Sequence, residues 1–66
     1  MDNLAEALPK EQQRVRELLA LYDTIPTGTF AATLMRQALA RAEKAAASGD
    51  ATAMITAYTE LQGFAY

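Results

Sequence analysis

Sixty-six residues with a formal net charge of −2, no cysteine and no histidine make one small domain and exclude several kinds of protein. Without cysteine there is no disulfide and no thiolate ligand or nucleophile. Without histidine, the commonest transition-metal ligand and proton-transfer base is missing.

The chain opens with "MDNLAEALPKEQQ", which is acidic and has no apolar core of the secretory-signal type. Residues 1–8 offer few packing partners and are expected to form a mobile N-terminal segment, with one helical domain over residues 9–66. A first helix is predicted from Pro9 or Lys10 to Asp23, since proline suits the first helical position, where its missing N–H is not needed. Val15, Leu18, Leu19 and Tyr22 recur at i, i+3, i+4 and i+7 and make one apolar face. Leu21 lies at its edge beside Arg14, and Gln13, Arg16, Glu17 and Asp23 face the other way.

"TIPTGTF" follows, a turn with proline and glycine between two helical runs. A second helix is predicted from Thr29 to Ser48, capped by the hydroxyl of Thr27 or Thr29. Its apolar arc is flanked by Leu34 and Met35 and centred on Ala31, Ala38, Ala42 and Ala45, small residues that let another helix approach closely. This long helix is expected to be the spine of the fold. "AAASGDATAM" then reads as a helix junction, with Gly49 as the left-handed stop and Asp50 as the next cap. A third helix is predicted from Ala51 to Gln62, with Ala51, Met54, Ile55, Tyr58 and Leu61 on its apolar face and Gly63 as its end. No segment alternates with period two, so the expected class is all-α, a small three-helix domain with a long central helix.

A core this small is marginal, since below roughly 70–80 residues natural domains usually add a disulfide, a metal or a partner. With the first two excluded by composition, self-association or docking onto a larger partner is expected. Ala38, Ala42 and Ala45 on the second helix, and Phe64 and Tyr66 beyond the third, are the candidate interface residues. The six lysines and arginines are scattered, so no basic run is present to release counterions from a nucleic-acid backbone, and direct nucleic-acid binding is not expected. No apolar run approaches the roughly 20 residues that span a bilayer. A complete, soluble, cytoplasmic chain is expected.

Catalysis is not expected: no serine–histidine pair or nucleophilic cysteine is available, and the carboxylates are dispersed along the chain. No cofactor or metal is implied. The turn Thr27–Gly28–Thr29 admits two readings. As a helix N-terminus with an accessible backbone it could cradle an anion, with Arg36 or Arg41 on the following helix completing a phosphate or nucleotide site. As punctuation it only starts a helix, and Gly28→Ala then changes stability by a few tenths of a kcal/mol to about 1 kcal/mol in either direction. The second reading is favoured, because the lysine and preceding strand of a P-loop are absent. "SGDATAMITAYTEL" resembles the helix junction of tetratricopeptide-type repeats, but a single copy is no repeat, and such arrays need about three.

From Leu8 to Leu61 the chain resembles small helical proteins of Mu-like bacteriophages and prophages, on a proline, an "RVRELLALY" helix, a glycine-bearing turn before phenylalanine and "SGDATAMITAYTEL". The resemblance implies a phage-type protein, in the host cytoplasm if phage-encoded, that acts by occupying a host component. The expected function is a non-catalytic protein-binding module that inhibits a host defence or regulatory protein, as anti-CRISPR and other anti-defence inhibitors do. Two alternatives are an oligomeric sponge that sequesters a nucleotide signal through the Thr27–Thr29 turn, and a phage structural or accessory factor.

Overall fold

The computed structural model describes residues 3–66 and is all-helical. Helix α1 spans Leu4–Tyr22, α2 spans Thr29–Ser48 and α3 spans Ala51–Gln62; a single 3₁₀ turn, Pro26–Gly28, precedes α2. Each helix packs on the other two, and no strand occurs among the described residues. The three-helix all-α class and the long central helix are those expected from the sequence.

The first helix begins well before its expected start. Asn3 is its N-cap: the Asn3 side-chain oxygen accepts the Glu6 N–H at 3.0 Å, and the Asn3 carbonyl accepts the Ala7 N–H at 2.8 Å. Pro9 therefore sits inside α1 rather than at its start. Residues 4–8 are helix, not the expected loose turn, and Leu8 is fully buried in the core. Met1 and Asp2, also part of the expected mobile segment, lie outside the described residues.

The core follows the three-four spacing of packed helices. Leu8, Val15 and Leu18 on α1 meet Met35, Ala38, Ala42 and Ala45 on α2 and Ala57 and Leu61 on α3. Gln12 is buried in the same row of α1, and no buried side-chain nitrogen or oxygen among the described residues lacks a hydrogen-bond partner. Ala38 and Ala42 are completely enclosed. The alanine row thus admits the chain's own neighbouring helices, so Ala38 and Ala42 are no free interface, which corrects the interface expected there; Ala45, at the edge of the row, also lines the open groove between α2 and α3.

Two details of the apolar faces also differ from expectation. Of the two residues expected to flank the arc of α2, Met35 is fully buried and is its largest enclosed side chain, while Leu34 is exposed. On α3, Ala57 is buried and Ile55 is 55% exposed. Leu61 of the expected face is fully buried and Met54 and Tyr58 are partly buried, so the enclosed arc is the expected one turned toward Ala57 and away from Ile55.

The junction between α2 and α3 matches the sequence closely. Gly49 adopts φ 69°, a left-handed conformation that only glycine takes without strain. The Asp50 carboxylate accepts the N–H groups of Thr52 at 3.0 Å and Ala53 at 3.4 Å. Ser48 reinforces the stop, its hydroxyl donating to the Ala45 carbonyl and accepting the Asp50 N–H.

Candidate protein-interaction surface

The turn between α1 and α2 is closed by the chain itself. Gly28 is buried, and a Cβ there would lie 2.5 Å from the Tyr22 carbonyl oxygen. The close approach that glycine allows is therefore used by the end of α1, not left for a ligand. Neither Thr27 nor Thr29 caps α2, contrary to expectation. A hydroxyl cap needs an extended residue before the helix. Here the chain enters α2 already wound, with Gly28 at φ −88° and ψ −1° and its N–H donating to the Ile25 carbonyl at 2.9 Å.

The two arginines of the anion reading point to different neighbours. Arg36 is held by Asp23 at the end of α1, at 2.6 and 2.7 Å, and Arg41 by Glu60 of α3, at 2.7 and 3.0 Å. Five positions apart on one helix, they diverge by about 140°. Thr27, Gly28, Thr29, Arg36 and Arg41 are therefore not brought together into one site.

The terminal aromatics fold back onto α1. Phe64 is half-buried against the core. The Tyr22 hydroxyl donates to the Ala65 carbonyl at 2.8 Å, and the Tyr22 and Tyr66 rings meet edge to face at 5.8 Å. Arg14 secures the same end, donating to the carbonyls of Leu61 and Phe64, each at 2.9 Å, and bidentately to Glu11. Hydrogen bonding to Glu11 raises the Arg14 pKa above the ordinary arginine value, with partial burial opposing. The Glu60 hydrogen bond does the same for Arg41.

What remains open is apolar. Leu21 is 49% exposed, Phe30 77%, Leu34 38%, Ile55 55% and Tyr66 80%. A groove of about 690 Å³ also runs between α2 and α3, floored by Ala45, Ala53 and Ala57 and walled by Arg41, Lys44, Ser48, Asp50, Thr56 and Glu60. Phe30, the last residue of "TIPTGTF", is the most exposed of the large apolar side chains on α2. Among the described residues no group of three or more acids is placed to hold a metal, and no helix is long and apolar enough to cross a membrane. No family model, no curated protein and no solved structure matches the chain.

Proposed function

We propose that the chain is a non-catalytic protein-binding module that acts by stoichiometric occupation of a protein partner, in a phage setting a host defence or regulatory protein. The observation that carries this reading is the surplus of large apolar side chains left in water on so short a chain: Leu21, Phe30, Leu34, Ile55 and Tyr66. The phage setting rests on the sequence resemblance alone. A structural or accessory phage factor would use the same surfaces. The nucleotide-sponge alternative has less to stand on, since Arg36 and Arg41 are each engaged by a carboxylate of the chain and Gly28 is covered by Tyr22.

The test is capture from a bacterial lysate on the immobilised chain, with mass spectrometry of bound proteins and of nucleotides released on denaturation. The expected result is one protein at a fixed ratio and no nucleotide. Leu21→Glu or Ile55→Glu, at exposed positions, should keep the helical spectrum, and at least one should abolish capture. A nucleotide released in stoichiometric amount would make the sponge reading the leading one.

A further inference from the structure

Phe30 and Leu34 lie on the same stripe of α2 as the residues that wall the groove. Positions 30, 34, 37, 41, 45 and 48 follow at steps of three and four, which is one face of a helix. Arg41, Ala45 and Ser48 of that stripe line the groove, whereas Phe30 and Leu34 stand out from its other end into solvent. One stripe therefore carries a protruding aromatic at one end and an alanine-floored hollow at the other. Phe30 and Ala45 are about 22 Å apart at ~1.5 Å per residue.

A feature and its complement on one face, separated along one axis, are satisfied together by a two-fold. We propose that the α2–α3 face binds a second copy of this chain, with the two α2 helices antiparallel and Phe30 and Leu34 of each copy seated in the groove of the other. The two-fold passes close to Gln37, so the Gln37 side chains of the two copies meet at the axis, where an amide can donate to and accept from its twin. Arg41 enters the contact already paired with Glu60, and Lys44 and Asp50, which also line the groove, add one charge of each sign. The contact is closed: each copy uses both its aromatic and its hollow, so assembly stops at two.

The area agrees with a modest dimer. The stripe from Phe30 to Ser48 is about 27 Å long at ~1.5 Å per residue. With α3 alongside at a usual interaxial distance of roughly 8–10 Å, the face is about 20 Å wide over the roughly 18 Å that the 12 residues of α3 span and one helix, about 10 Å, wide beyond. Each copy then offers on the order of 500 Å², and the pair on the order of 1,000 Å², the lower end of specific interfaces. This proposal goes beyond the protein-binding reading, and the two fail separately: a monomeric chain can still capture a host protein, and a dimer can form with no host partner.

Sedimentation velocity on the full chain across a concentration series tests it. The expected result is a shift from 7.2 kDa to twice that mass over the micromolar range. Phe30→Ser removes the aromatic at a position exposed in the single chain, and Thr56→Trp fills the hollow from its exposed wall. Each should keep its helical circular dichroism and weaken the dimer by tenfold or more. Mixing the two variants restores one intact aromatic facing one open hollow, so a mixed dimer should form more tightly than either variant with itself. A single chain mass up to millimolar concentration would overturn the proposal. So would a dimer indifferent to both substitutions, loss with Phe30→Ser but not with Thr56→Trp, or a mixture no tighter than its parts.

Discussion

Gly28 shows how a single residue can look like a ligand loop and be a packing necessity. Its φ is negative, so handedness is not what requires glycine here; the Tyr22 carbonyl oxygen, 2.5 Å from where a Cβ would lie, is. Carbonyl oxygen is backbone and cannot swing aside as a side-chain end would, so α1 and α2 must part. Gly28→Ala is therefore expected to cost about 1–3 kcal/mol, as for other overpacked sites, not the small change of either sign that sequence suggests. Thr27→Ala should stay within about 0.5 kcal/mol, since that hydroxyl caps nothing and its residue is exposed. Urea unfolding of the two variants beside the parent gives the comparison, and an equal midpoint for Gly28→Ala would mean that the turn yields easily.

At the scale of the element, the helix ends divide into those the sequence announces and those it conceals. Asp50 after Gly49 is an announced start: a stop in the left-handed region followed by a carboxylate on two orphan N–H groups. Asp50→Ala should cost about 1 kcal/mol through the lost cap, and Gly49→Val more, because a β-branched side chain resists positive φ. Asn3 is a concealed start. Asn3 and Glu6 have the spacing of a cap and a third helical residue, but Pro9 competes for the reading as a first helical residue. It could be absorbed into α1 because burial of Leu8 holds the first turns against the core. Leu8→Ala should accordingly destabilise the whole domain by about 2–5 kcal/mol, as for other enclosed leucines. A thermal melt checks this, and a loss under about 0.5 kcal/mol would mean that the first turns are dispensable.

At the scale of the molecule, alanines hold the three helices together. Ala42 is wholly enclosed, so Ala42→Glu places an unpaired carboxylate in the core at a cost of several kcal/mol. The single chain should lose its fold, not merely its assembly, which circular dichroism separates from sedimentation. The surface pairs add little, and their pH behaviour is simple. The Arg14 and Arg41 pKa values are raised in the folded chain. Their contribution is thus fully present below the ordinary arginine value and is lost only as pH climbs through the higher folded one. With no histidine in the chain, no side chain has an ordinary pKa near neutrality. The melting temperature should be nearly flat between about pH 6 and pH 9, and a steep slope there would show a group with a displaced pKa.

Local chemistry by itself determined the class, the helix count, the bounds of α2 and α3 and the junction at Gly49–Asp50, because propensity, spacing and a glycine stop act over a few neighbouring residues. It also excluded cysteine and histidine chemistry outright. Only the tertiary structure decided which arc of each helix is enclosed. A leucine gains more from burial than an alanine, but an alanine arc lets a neighbouring helix approach closely, and spacing does not weigh one against the other; the choice fell to which surfaces two neighbouring helices could reach. That choice buried Ala38, Ala42 and Ala45 and left Phe30, Leu34 and Ile55 in solvent. It also gave Arg36 to α1 and Arg41 to α3, since five residues turn a helix through about 140° and each side chain finds whichever carboxylate the packing sets beside it. The candidate surface was therefore illegible before the fold, because a surface consists of what the core did not use.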